Sequence, residues 1–159
     1  MRKYVLPLGI FLVMLFSGVA SSPAASVTPT ETVINYFDAC RNGDVNSMKK
    51  LMAGNFYEKK HSLLFNNKNY PEFLKSYYQD LNITIVSAST GNFDMVSRNH
   101  SKLYERFHKK GGLWTSSGEN DIAVITVSFE FPDKSAFISK FLLKKVSNNH
   151  WKIFEHLLE

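Results

Sequence analysis

Val33, Tyr36, Phe37 and Cys40 recur at helical spacing, so they share one apolar stripe. Thr28-Pro29-Thr30-Glu31 opens that helix. The Thr28 hydroxyl can accept the amide three residues on, Glu31 can reach back, and Pro29 stands where its missing N–H costs nothing. Asn42-Gly43 ends it. Asp44 then caps a shorter helix with Val45, Met48, Leu51 and Met52, closed by Gly54. The looser stretch Asn55 to Asn69 contains an Asn-Asn-Lys-Asn run of loop chemistry. Pro71 opens a third helix with Phe73, Leu74, Tyr77, Tyr78 and Leu81 on its apolar side.

From residue 82 the period changes to two. Ile83 and Ile85 alternate with Thr84 and Val86, and Phe93 and Met95 with Asp94. Leu103 to His108 is ambiguous but can extend, and Lys109-Lys110-Gly111-Gly112 and Ser116 to Asn120 are turn-like. Ile122 to Phe131 is the clearest strand: Ile125, Val127, Phe129 and Phe131 point one way, Thr126, Ser128 and Glu130 the other. Pro132-Asp133-Lys134 turns the chain into Ala136 to Val146. Ser147-Asn148-Asn149 turns it again into His150 to Leu157. Short polar turns between consecutive strands predict an antiparallel meander. Helices first and strands after predict an α+β domain, not an alternating one.

The first 25 residues stand apart. Arg2 and Lys3 precede a nearly unbroken apolar run, Val5 to Phe16, and small residues follow to Ser26. About 12 apolar residues is short of the roughly 20 that span a bilayer, so residues 1–25 are expected to be an export signal and residues 26–159 a single domain. The expected location is periplasmic or secreted, with membrane contact only if the signal stays uncleaved. Cleavage takes the basic count from 19 to 17 against 14 acidic residues, so the net charge falls from +5 to about +3. The remaining lysine pairs are scattered, which argues against a nucleic-acid surface. Cys40 is the lone cysteine, which excludes a disulfide scaffold and a thiolate zinc site. It is either buried or open to an intermolecular bond, and its place in the helical stripe favours burial.

This order of elements resembles the nuclear transport factor 2-like superfamily, a cone of strongly curved antiparallel sheet closed by N-terminal helices. The resemblance rests on the helix-Asn42-Gly43-Asp44-helix join, on the strand Asp121 to Phe131 with its Pro-Asp-Lys turn, and on Leu142-Leu143-Lys144-Lys145-Val146 followed by Trp151-Lys152-Ile153. It covers about residues 28–159 and departs from the family between Gly91 and Asn120, a long basic stretch. The resemblance implies a pocket inside the cone. It does not imply a chemistry, because the superfamily hosts lyases, isomerases, hydrolases and non-catalytic binding modules alike.

Acid–base work in such a pocket needs a carboxylate or imidazole in apolar surroundings and a donor such as tyrosine. Glu155 and Tyr36 are the candidate pair: on a two-residue period Glu155 shares an otherwise apolar face with Trp151, Ile153 and Leu157. The bland alternative makes Glu155 a strand-end residue reaching water. Asp38 lies off the stripe and is expected in solvent. His150 and His156 would share a strand face about 20 Å apart at roughly 3.3 Å per residue. His61, His100 and His108 fall in loops or uncertain segments. No histidine pair has ligand spacing, so neither a metal nor a cofactor is expected. Aromatic residues gather around the third helix. A non-catalytic module binding a small apolar ligand or an envelope protein is therefore the leading expectation, with Tyr36, Tyr57, Tyr77, Trp151 and Glu155 as ligand-binding candidates. A homodimer is a further option. The rivals are a cofactor-free lyase or isomerase using Glu155 with Tyr36, and a membrane-anchored assembly component.

Overall fold

In the computed structural model, which describes residues 26–53, 56–92, 94, 98, 121–147 and 150–158, the chain enters its first helix through a full capping box. The Thr28 hydroxyl accepts the Glu31 amide at 3.1 Å, and the Glu31 carboxylate accepts the Thr28 amide at 2.7 Å. Helix α1 (Pro29–Asn42) ends at Gly43, whose φ of 64° is left-handed. The Gly43 amide donates to the Cys40 carbonyl and the Asp44 amide to the Ala39 carbonyl, the paired bonds of a Schellman stop. A Cβ at Gly43 would come within 2.7 Å of the Pro71 carbonyl oxygen, so this glycine also sets how closely the third helix approaches.

Asp44 caps α2 (Val45–Leu51), accepting from both the amide and the hydroxyl of Ser47. The expected run to Gly54 is cut short. Met52 is extended and pairs with Ile153, and the Ala53 amide donates to the Ile153 carbonyl at 2.9 Å. Sheet pairing offers the buried Met52 backbone the partner that another helical turn would have supplied. The stretch expected to be loose holds a π-helical turn (Phe56–His61) and a 3₁₀ turn (Leu64–Asn66). Helix α3 (Tyr70–Gln79) follows, with Pro71 in its first turn.

Four strands complete the fold as an open, curved antiparallel sheet: β1 (Asn82–Gly91), β2 (Ile122–Glu130), β3 (Ala136–Ser147) and β4 (His150–Leu158), in that order across the sheet. The three helices lie on one face, which makes the α+β arrangement that the order of elements predicts. Val33, Phe37, Cys40, Met48 and Met52 meet Ala123, Ile125, Val127, Leu143 and Ile153 there, all essentially buried.

Three bulges interrupt the ladders. Val86 is the extra residue in β1, Val146 in β3 and Phe154 in β4. The last has the largest consequence. Ile153 pairs with Leu143 and Glu155 with Leu142, so Phe154 has no opposite number and the inward set changes parity beyond it. The opposite face is not simply polar: Ile122, Val124, Leu142 and Leu157 are buried on it, and so is Thr126, which its alternation with Ile125 and Val127 assigns to solvent.

Residues 1–25, and with them the expected export signal, lie outside the described residues. So do the expected alternation at Phe93 and Met95, the stretch 103–108, the two turns after it, and His100 and His108. Asp94, within that alternation, has helical backbone. Among the described residues no helix is long and apolar enough to cross a membrane.

Candidate functional site

Between the helices and the inner sheet face lies a cavity of about 290 Å³ lined by twelve described residues. Helix α1 contributes Tyr36 and Phe37, adjacent residues both directed to the core. The π-helical turn contributes Phe56 and His61. Residues five apart would lie roughly 140° apart around an α-helix at 3.6 residues per turn. The wider turn, closed by the Ser62 amide on the Tyr57 carbonyl at 3.0 Å, brings both to the same side, with ring centroids 4.8 Å apart. The end of α3 supplies Tyr77 and Tyr78, followed by Leu81.

Arg41 holds that last segment in place. Its guanidinium donates to the carbonyls of Tyr78 (3.5 Å) and Leu81 (3.1 Å), satisfying acceptors that α3 leaves open at its C-terminus. The sheet closes the far wall. Phe129 and Phe137 are register partners and stack at 4.6 Å with planes 8° apart. Phe141 and His156 are register partners on the next pair and stack at 4.5 Å. Leu158, largely exposed, stands at the rim.

Both imidazoles of this wall are hydrogen-bonded to residues behind it. The Ser139 hydroxyl, fully buried, donates to the Leu157 carbonyl at 2.8 Å and is hydrogen-bonded to Nε2 of His156. With the hydroxyl proton committed to the carbonyl, Nε2 is the donor in that second bond. The Tyr70 hydroxyl bonds Nδ1 of His61 at 3.0 Å. Burial raises the Tyr36 phenol well above its ordinary range, with Cys40 and Tyr78 beside it adding to the effect. Burial likewise raises Tyr78, pushes Tyr70 up to about 12 and the Cys40 thiol up to about 12, the last against a smaller opposing pull from Tyr36. These phenols therefore act as neutral hydrogen-bonding groups, not as bases. No Asp, Glu, Lys or Arg is among the twelve lining residues. Among the described residues no group of three or more His, Cys, Asp or Glu could hold a metal.

Of the residues singled out from the sequence, Tyr36 and Tyr77 come together on this cavity. Tyr57 packs on Phe65 outside it, and Trp151 packs against the core further along β4. Glu155 is buried, but it pairs with Leu142 on the opposite face of the sheet from Tyr36. The face shared with Trp151 and Ile153 does not exist, because the Phe154 bulge ends the two-residue period on which that grouping depends. The same extra residue sets His150 and His156 on opposite faces, correcting their expected common side. Asp38 is exposed, in a 3.7 Å ion pair with Arg41. Cys40 is buried in the core.

Spacing along the chain does not mark Phe56, His61, Phe137, Phe141 or His156 for this site. Phe56 and His61 depend on a π turn, His156 on a bulge, and Phe137 and Phe141 on strand register, and only the last has a local trace, in the alternation of β2 and β3. Compared with protein-family models, curated proteins and solved structures, the chain matches none of the three. A functional reading therefore stands on the geometry of this cavity.

Proposed function

We propose that the protein is an exported, non-catalytic module that holds a small apolar ligand in the cavity between α1, α3 and the sheet, and that its likeness to the nuclear transport factor 2-like superfamily extends to this use of the fold. One observation carries the reading: a cavity of about 290 Å³ whose described lining is aromatic or aliphatic apart from two imidazoles and the tyrosine hydroxyls. That volume stands at the lower end of ligand pockets, roughly 300–1,000 Å³, which are mostly apolar with a few oriented polar groups. The pairing of Glu155 with Tyr36 required by the lyase or isomerase alternative is not formed, since the sheet separates them. Ser139 does not supply a nucleophile either, because its proton is directed at a backbone carbonyl instead of a base.

Native mass spectrometry of the purified full chain, together with displacement of the neutral dye N-phenyl-1-naphthylamine, tests the ligand. The expected result is a co-purified small molecule, or saturable dye binding that Phe141→Ala abolishes and Glu155→Gln leaves unchanged. Absence of both a bound mass and dye binding overturns the reading. N-terminal sequencing of the mature protein tests cleavage of the export signal: a start between about residues 21 and 26 is expected, and an intact Met1 would favour the membrane-anchored rival.

A further inference from the structure

We infer that the ligand is a compact, planar, uncharged ring compound of about two fused rings, and not an alkyl chain or a charged metabolite. This rests on the ligand-binding reading above and narrows it.

Ten of the twelve described lining side chains carry rings, and the other two are Leu81 and the largely exposed Leu158. Their orientation matters more than their number. Phe37 stands edge-on to Phe129 (5.4 Å, 77°) and to Phe141 (5.4 Å, 86°), while Phe129 lies flat on Phe137. Aromatic rings have an electron-rich face and an electron-poor edge, so this wall offers complements to both the edge and the face of another ring. A flat conjugated guest gains from those contacts beyond the area it buries. An alkyl chain of equal carbon count gains the area alone, and it also gives up the rotamer freedom that a rigid ring never had.

The wall is also preorganised. Phe37, Phe129 and Phe141 are each almost fully buried and packed on one another, so the cavity cannot reshape itself around a flexible guest without breaking existing ring contacts. A volume of about 290 Å³ limits the guest to a small ring system. Among the described lining residues there is no Asp, Glu, Lys or Arg to pair with a buried charge, which makes a charged guest costly to desolvate. The cavity's exposed edge carries a ring as well. Tyr77 belongs both to the cavity and to the surface, stacked on the exposed Phe73 at 5.9 Å with planes 22° apart.

Three probes test the inference on the full chain at pH 7 by calorimetry and aromatic-proton NMR: 2-naphthol, 1-decanol and 2-naphthoate. The first two have the same carbon count and one hydroxyl, and the third adds a charge to the same rings. The expected result is that 2-naphthol binds at least about tenfold more tightly than 1-decanol, the gain of one or two ring contacts, and more tightly than 2-naphthoate. Its protons should shift upfield from the surrounding ring currents. Phe137→Leu, at a half-buried position that should tolerate the change, should reduce the preference over decanol while decanol still binds. Equal or tighter binding of decanol overturns the ring inference but leaves a ligand cavity standing. Tighter binding of naphthoate overturns the uncharged part. Saturable binding of none of the three overturns both this inference and the reading it rests on.

Discussion

The imidazole of His156 lies over the ring of Phe141, centroids 4.5 Å apart, because one extra residue in β4, Phe154, turns it toward the helices. A bonded pair fixes it there: Nε2 donates to the buried Ser139 hydroxyl, and Ser139 donates onward to the Leu157 carbonyl. Removing the hydroxyl leaves that buried carbonyl and the imidazole N–H each short of a partner. Ser139→Ala should therefore cost about 1–3 kcal/mol, the penalty for unsatisfied buried groups, read from urea unfolding. In the unmutated protein, nitrogen NMR should find His156 as the Nε2–H tautomer. A variant as stable as the parent would remove Ser139 from this role.

How much of this was legible in the sequence depends on which interactions are local. Thr28, Gly43 and Asp44 are end signals whose partners lie within five residues, and each behaves as its residue type demands. The meander is legible because the links from β2 to β3 and from β3 to β4 are short and polar in sequence. The site is less so. Glu155 looked inward under an unbroken alternation, whereas Phe154 is accommodated only through pairing with β3, a contact between distant parts of the chain. His61 reaches the cavity through a π turn, which no periodicity of 3.6 or 2 reveals. Tyr36 and Tyr77 were found because both stand on regular helix faces.

Gly43 is held to its identity by two constraints that can be separated. Its φ of 64° disfavours any side chain, by roughly 1–2 kcal/mol for an ordinary L residue. A Cβ there also meets the Pro71 carbonyl oxygen at 2.7 Å. Gly43→Ala should lose the conformational term and add the clash. Gly43→Asn, which tolerates left-handed backbone but has the same Cβ, should recover only the first. Thermal or urea unfolding of both variants would show this order, and equal stability of Gly43→Asn and the parent would exclude the clash.

Phe141 is in ring contact with Phe37, Tyr36, Phe56 and His156 and is almost fully buried, so Phe141→Ala should cost about 3–5 kcal/mol. Phe73 has the same side chain but is 58% exposed, and its replacement by alanine should change stability by no more than about 0.5 kcal/mol. The contrast separates a core ring from a surface ring. Comparable losses for the two would mean that the α3 surface is covered in solution.

Alkaline pH should expose the buried thiol. The Cys40 pKa rises from 9.0 to about 12 on folding, chiefly through burial. Below about pH 9 both folded and unfolded chains keep the proton, and the thiol contributes no slope. Between about 9 and 12 the unfolded chain releases it while the folded chain does not, so stability falls as pH rises, by up to about 1.4 kcal/mol per pH unit from this group. Tyr36 and Tyr78, raised in the same direction by burial, add to the fall above about pH 10. Urea midpoints at pH 7, 9 and 10 would measure the slope, and Cys40→Ala should remove the thiol's share while leaving the larger, burial-driven part of the phenols' share. The same burial predicts that a thiol reagent at pH 8 labels Cys40 only after denaturant is added. Rapid labelling of the folded protein, or an unchanged slope in Cys40→Ala between pH 9 and 10, would show that the thiol reaches solvent.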